Sequence, residues 1–231
     1  MVKENPVLGI IGGGQLGSML ATAAKNLNIK TVILSDDPDA PAKNFCDQFI
    51  ISDYNNNKII EDFANKTDIV TFEFENIPFK TLNYISKFKR VLPDPTINQI
   101  VQNRFTEKKF IGNLAGASNE LEIRTTNYAL IKEKSDILKN EALLPGLLKT
   151  CTLGYDGKGQ FVINNKKEAD NLEIDFDKEY ILEKKITLKK EISVIVTRFS
   201  NNKFLVFEPF ENHHINQILN KSVIPADITK D

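Results

Sequence analysis

Val7-Leu8-Gly9-Ile10-Ile11-Gly12-Gly13-Gly14-Gln15-Leu16-Gly17 decides the fold of the first half of the chain. A short aliphatic run closed by glycines reads as a buried strand. Leu16, Met19, Leu20 and Ala23 then recur at helical spacing, so a helix follows. Thr31-Val32-Ile33-Leu34 is a second apolar run, closed by the turn residues Ser35-Asp36-Asp37-Pro38. Two buried strands joined through a helix lie parallel, because only a crossover of that length returns the chain in the same direction.

The alternation continues downstream. Gln48 to Ser52 and Asp68 to Phe72 read as strands, with a helix over Lys58 to Asn65 between them. Thr81 to Lys87 is helical, and Arg90-Val91-Leu92 is a strand before Pro93 and Pro95. The pattern predicts a doubly wound α/β domain over residues 1–96. From Ile97 the character changes. A charged helix over Ile97 to Leu114 leads to a strand over Tyr128 to Glu133 and a helix over Lys134 to Asn140. Leu147 to Thr150 and Gln160 to Ile163 flank a glycine-rich loop in a hairpin layout. Tyr180 to Glu183, Glu191 to Thr197 and Phe204 to Phe207 read as further strands. Residues 97–231 therefore read as an α+β domain, largely antiparallel.

Composition narrows the function classes. The 231 residues are 41% hydrophobic and 26% charged, as in ordinary globular chains. Net charge is −1 with basic residues spread along the sequence, so no cationic patch points to nucleic acid or a membrane surface. Cys46 and Cys151 form neither a disulfide framework nor a metal motif. The polar start, Met1 to Pro6, and the glycine-broken run after it lack the form of a signal peptide or a membrane span. The expected compartment is the cytoplasm.

Two motifs carry chemistry. Gly12 to Gly17 fits G-x-G-x-x-G between a strand and a helix, with Asp36 and Asp37 about 20 residues on, which is a dinucleotide-binding fingerprint. The physics is broader: glycines admit an anion close to the backbone, and a helix start offers unpaired N–H groups, so the phosphate of any ligand satisfies the motif. A tight turn with no ligand satisfies it too. The second motif is Lys149-Thr150 followed by Gly154-Tyr155-Asp156-Gly157-Lys158-Gly159-Gln160. It is not a P-loop, because its Lys precedes Gly rather than Ser or Thr. Three glycines and a Lys between strands make a mobile cationic cover for phosphates, or equally a flexible surface hairpin.

These motifs occur in order with Phe72-Glu73-Phe74-Glu75-Asn76-Ile77-Pro78, Arg104, Glu107-Lys108, Ile181-Leu182-Glu183, Glu191 to Val196, Glu211-Asn212-His213-His214 and Ser222 to Ala226. The ordered set resembles the N5-carboxyaminoimidazole ribonucleotide synthetases of the ATP-grasp superfamily over nearly the whole chain. The resemblance implies an N-terminal Rossmann-like pre-ATP-grasp domain, residues 1–96, then the first portion of an α+β ATP-grasp domain, residues 97–231. It implies ATP and Mg²⁺ as cofactors, and aminoimidazole ribonucleotide and bicarbonate as substrates. It allows a homodimer or a complementing C-terminal chain as protein partner.

Residue roles follow from the resemblance alone. Arg104 and Lys149 contact ATP phosphates, and the loop Gly154, Tyr155, Asp156, Gly157, Lys158, Gly159, Gln160 closes over them. Glu183, Lys184, Lys185 and Ile186 line the adenine pocket, Glu191 takes the ribose hydroxyls, and His214 completes the nucleotide site. Gly13, Gly14, Gln15 and Leu16 hold the substrate's 5′-phosphate, and Asp156 approaches the imidazole. Each has an ordinary alternative: Arg104 as a solvated helix residue, Glu183 and Glu191 as outward charges of alternating strands. The adjacent pair His213-His214 would face opposite ways in a regular strand. Three substitutions depart from the family pattern: Ser18 for Arg, Cys151-Thr152 for a basic pair, and Asn119 to Glu122 for a Pro-containing segment. The family continues beyond this length, and its metal ligands are expected in that further part. The readings that compete are an NAD(P)-dependent oxidoreductase, from the first motif, and a non-catalytic ATP-binding module.

Overall fold

The computed structural model describes residues 5–117, 124–154 and 158–229. The chain divides into two compact units, Met1–Phe110 and Ile111–Asp231.

The first unit is built on five parallel strands: β1 (Val7–Ile11), β2 (Lys30–Ser35), β3 (Gln48–Ile51), β4 (Ile69–Phe72) and β5 (Arg90–Val91). Their order is β3-β2-β1-β4-β5, so the winding reverses between β1 and β4. Four helices accompany them: α1 (Gln15–Asn26), α2 (Asn57–Asn65), α3 (Phe79–Ile85) and α4 (Pro95–Val101). Strand alternation sorts the core into two faces. Ile10 and Ile33 pack with Ala21 and Ala42, whereas Ile11 and Leu34 pack with Ile60, Phe63, Ile77, Leu82 and Ile85.

Helix α1 buries a different face from the one its aliphatic spacing suggests. Gly17, Ser18, Ala21 and Ala24 are the buried positions, while Leu16 and Met19 are 54% and 60% exposed. Small residues let the helix axis approach the sheet closely, and that leaves the larger side chains of the stripe outside.

The expected single helix over Ile97 to Leu114 is two helices, α4 and α5 (Arg104–Ala117). Asn103 makes the break: its Oδ1 accepts from the N–H groups of Phe105 and Thr106 at 3.0 and 3.1 Å, starting a new helix. Helix α4 is also tied to the first unit, because Asn98 Nδ2 donates to the Ile77 carbonyl at 2.9 Å. Compact division therefore falls after Phe110 rather than at the composition change near residue 96.

The second unit opens with a four-stranded antiparallel sheet: β6 (Tyr128–Ile131), β7 (Gly146–Thr150), β8 (Gln160–Ile163) and β9 (Tyr180–Lys184), in the order β6-β9-β7-β8. Helices α6 (Lys134–Lys139) and α7 (Lys166–Asp170) cover one face through Ile131, Ile137, Leu148, Ile163, Ala169 and Leu182. The expected strand Glu191 to Thr197 is divided into β10 (Glu191–Ser193) and β11 (Val196–Arg198), which join different sheets. Strand β11 pairs with β12 (Phe204–Val206), and β10 pairs with β13 (Phe210–Ile215), which turns back into β14 (Ile218–Val223). Asn216 and Gln217, at φ 51° and 67°, form the two-residue turn, in the left-handed geometry that tight hairpins use. No described helix is long and apolar enough to cross a membrane.

Candidate functional site

The glycine loop sits where the sheet's winding reverses, the usual crevice of such folds. Parallel register decides what faces it. Ile11 pairs with Phe72, so the next residues, Gly12 and Glu73, come side by side at the strand ends. Glu73 Oε1 accepts from the Gly14 N–H at 2.7 Å and Oε2 from the Gly17 N–H at 2.6 Å. A carboxylate thus fills the anion position at the start of α1, where Gly14 supplies no side-chain cap. Gly12 has φ +99°, and a Cβ there would lie 2.4 Å from Glu73 Cγ, so only glycine admits this arrangement.

This alters the expectation for Gly13, Gly14, Gln15 and Leu16. The Gly14 N–H is already committed to Glu73, so the cradle is occupied from within. A dinucleotide pyrophosphate held by the Gly14 and Gly17 N–H groups would find both taken by Glu73, which counts against the oxidoreductase reading. Asp37 is absorbed in its own turn, where Oδ1 accepts from the Asp39 N–H at 2.9 Å. Ser18, which stands where Arg was expected, is buried and donates to the Gly14 carbonyl at 3.1 Å.

The second unit brings Lys149 and Glu183 together. Leu147 lies opposite Glu183 across β7 and β9, so Lys149, two residues on, shares the face of Glu183 as a diagonal neighbour. Lys149 Nζ is 2.9 Å from Glu183 Oε2, and the side chains are 25% and 9% exposed. Glu183 is thus an inward, charge-paired residue, not the outward charge that bare alternation allowed. Beside the pair, the β7–β8 hairpin closes with Thr150 N–H donating to the Gly159 carbonyl at 3.0 Å. Gly154, at φ +83°, would place a Cβ 2.8 Å from the Lys158 carbonyl oxygen, so this return of the chain needs glycine. Lys158 is exposed and Gln160 half-buried. Tyr155, Asp156 and Gly157 lie outside the described residues.

The neighbours of Glu183 diverge. Lys184 Nζ donates to the Ala142 carbonyl at 2.9 Å, on the far side of the strand. Lys185 donates its N–H to the Pro145 carbonyl, and Ile186 is 55% exposed. Glu191 and His214 are brought together on the adjoining sheet, with Glu191 Oε1 3.5 Å from His214 Nδ1. A bulge between His213 and His214 breaks the strict alternation of β13, and His213 Nε2 lies 3.6 Å from Glu211 Oε1. Arg104 begins α5, half-buried, within the first unit. Cys151 is buried, with its N–H on the Glu179 carbonyl, so that position holds a core thiol in place of the expected basic residue. The departing segment Asn119 to Glu122 lies outside the described residues.

Sequence reasoning missed two features. Glu73 was visible in the Phe-Glu-Phe-Glu run, but its role as a helix cap depends on the β1–β4 pairing. Lys190 bridges Glu211 at 2.9 Å and Asp227 at 3.1 Å across the second unit. That ammonium bond holds the Glu211 carboxyl below its ordinary range, and the Glu211 and Asp227 bonds raise Lys190. Among the described residues, no group of three or more His, Cys, Asp and Glu side chains is placed to hold a metal.

Comparison with known proteins bears on the same elements. Residues 6–102 match the ribonucleotide synthetase preATP-grasp domain, and residues 117–231 match the ATP-grasp domain. The chain is 36% identical over 232 residues to an N5-carboxyaminoimidazole ribonucleotide synthase of Staphylococcus aureus, covering 99% of this chain and 60% of that protein. It is 37% identical to the enzyme of that name from Bacillus subtilis, covering 100% of this chain and 60% of the relative. The solved structure of the Staphylococcus aureus N5-carboxyaminoimidazole synthetase complexed with ADP superposes with a TM-score of 0.89 at 36% identity, covering 99% of this chain and 60% of that one. The chain thus spans about 60% of the length of these relatives. Two co-linear domain matches and this level of identity place the chain in the N5-carboxyaminoimidazole ribonucleotide synthase family of ATP-grasp ligases.

Proposed function

We propose that this chain carries the nucleotide-holding part of a ligase that uses ATP and bicarbonate to carboxylate 5-aminoimidazole ribonucleotide, yielding N5-carboxyaminoimidazole ribonucleotide for purine synthesis in the cytoplasm. The observation that carries this reading is the Lys149–Glu183 pair beside the glycine hairpin of an ATP-grasp sheet. Lys149 neutralises phosphate charge, and the loop from Gly154 to Gln160, with Lys158, covers the phosphates. Glu183, with Lys184, Lys185 and Ile186, borders the adenine. Glu191 accepts from the ribose hydroxyls, as a carboxylate with free lone pairs does, and His214 steadies it. The substrate's 5′-phosphate engages the first turn of α1 at Gln15 and Leu16, beside the N–H groups that Glu73 takes. Mg²⁺ would supply charge neutralisation in phosphoryl transfer. The described residues offer no cluster that fits it.

The partner is a polypeptide equivalent to the remaining length of the relatives, in cis or in trans. Exposed apolar side chains of β11 and β12, with Val196 at 54%, Phe204 at 61% and Val206 at 60% on one face and Leu205 at 49% on the other, support that reading.

Calorimetric titration tests the nucleotide reading. ADP is expected to bind the chain, and Lys149→Ala is expected to weaken binding by about one to two orders of magnitude. NAD binding without ADP binding would sink it. The 231-residue chain alone is expected to show no bicarbonate-dependent ADP release with aminoimidazole ribonucleotide, and robust turnover would overturn that expectation.

A further inference from the structure

Strand β10 is three residues long, lies at the edge of its sheet and is exposed throughout. A strand this short and this open frays unless its ends are fastened. Its far end is tied by Asn212 Nδ2, which donates to Ser193 Oγ at 3.0 Å. Its start is tied by Lys190, the residue before it. Lys190 Nζ donates to Glu211 Oε2 at 2.9 Å, to Asp227 Oδ2 at 3.1 Å and to the Asp227 carbonyl. An ammonium has three N–H donors, and these three acceptors engage all of them.

This arrangement differs from an ordinary surface ion pair, which orders little. One side chain joins the start of β10, strand β13 through Glu211, and the stretch after β14 through Asp227. The Lys190 and Glu211 side chains are 28% and 16% exposed, so solvent screens their contact only in part. The stretch after β14 is also fixed by its backbone, since the Ala226 N–H donates to the Pro209 carbonyl at 2.8 Å. Alternation puts the clamp behind the site. Ile192 lies opposite Glu211 and Glu191 opposite Asn212, so Glu211 and Glu191 project from opposite faces. Glu191 meets His214 on one face, and Lys190 reaches Glu211 on the other. The clamp therefore acts through the backbone of Glu191.

We propose that Lys190 is a positioning residue of the nucleotide site: its clamp on Glu211 and Asp227 holds the start of β10 so that the Glu191 carboxylate meets the ribose hydroxyls. The inference rests on the proposed nucleotide reading and adds to it a residue on the reverse face of the sheet. Glu191 has a side chain 46% exposed, and its contact with His214 spans 3.5 Å, so its own contacts hold it loosely. Recognition of two hydroxyls by one carboxylate needs a geometry held to within about 0.5 Å. That precision has to come from the backbone, and Lys190 supplies it. Without the clamp the start of the strand frays, and the loss falls on the hydroxyls, not on the phosphates or the base.

The test is calorimetric titration of the chain with ADP and with 2′,3′-dideoxy-ADP, which lacks both hydroxyls. The unsubstituted chain is expected to bind ADP about tenfold or more tightly than the dideoxy analogue. Lys190→Met keeps the apolar stem and removes the charge. It is expected to cut that ratio to about threefold or less, with dideoxy-ADP affinity held within about twofold. Lys190→Arg is expected to restore most of the ratio. Glu211→Gln is expected to lower it as Lys190→Met does, and the double variant to lower it no further. Lys189→Met, at the exposed neighbouring lysine, is expected to leave the ratio intact. General loss of stability would weaken both ligands equally, so an unchanged ratio in Lys190→Met overturns the proposal while ADP binding keeps the nucleotide reading. An equal effect of Lys189→Met also overturns it, by assigning the change to bulk charge. Failure of the unsubstituted chain to bind ADP, or to prefer it over the analogue, sinks the Glu191 assignment and the clamp together.

Discussion

Glu73 shows how a single side chain redirects a motif. A G-x-G-x-x-G turn presents N–H groups to an anion, and here the anion is part of the chain. Glu73→Ala is expected to destabilise the first unit by about 2–3 kcal/mol, because two charge-assisted bonds and a helix cap are lost together. Urea unfolding checks this, and Glu73→Gln should recover part of the loss by keeping one acceptor. Lys149 and Glu183 form the second decisive pair. Removing either leaves the other less compensated in a half-buried setting, at an expected cost of about 1–3 kcal/mol. The double variant Lys149→Met with Glu183→Gln is expected to cost less than the sum, and a double-mutant cycle measures that coupling.

Among the elements, helix α1 and the α4–α5 break are the most instructive. An aliphatic stripe signalled α1 correctly as a helix, yet its small residues face the sheet and its large ones face out. Periodicity identifies a helix but not which stripe is buried when a helix carries both an aliphatic and a small-residue face. The α4–α5 break turns on Asn103, whose side chain caps the second helix. Asn103→Ala is expected to cost about 1 kcal/mol, read by chemical unfolding, and to let the two helices compete for one continuous path. At the β13–β14 turn, Gln217 holds a positive φ of 67° that glycine adopts without strain. Gln217→Gly is expected to raise stability by a few tenths of a kcal/mol up to about 1.

At the level of the whole molecule, stability should fall on both sides of neutrality for different reasons. On the acid side, the carboxyls of Asp94, Asp136, Glu168 and Glu211 are held below their ordinary values, chiefly by hydrogen bonds to Thr96, to Lys132, to Asn164 and to Lys190 respectively. A depressed folded pKa contributes stability above the unfolded pKa and loses it as pH falls through the folded one. The melting temperature is therefore expected to drop below about pH 4. On the alkaline side, burial and then the Asp36 charge push Tyr54 from 10.0 up to about 12. That contribution is complete below the unfolded value and is lost as pH rises toward about 12. Tyr54→Phe should flatten this limb in a melting series against pH. Each unit carries its own apolar core, so two transitions are expected where the units unfold independently.

Local pattern was enough for the alternation of β1, α1 and β2, the parallel sheet, the glycine hairpin and the family that shares this ordered set of motifs. Those signals are periodic or consist of residues with strong backbone preferences, and both survive in one dimension. Only tertiary structure placed Glu73 in the glycine loop, because that contact needs the register of strands 61 residues apart, Ile11 against Phe72. It likewise turned Glu183 inward onto Lys149, joined Glu191 to His214, and buried Asn98 Oδ1 without a hydrogen-bond partner. Pairing, register and burial are relations between distant segments. No window of sequence contains them, and so the chemistry of this chain became legible only after the strands were set side by side.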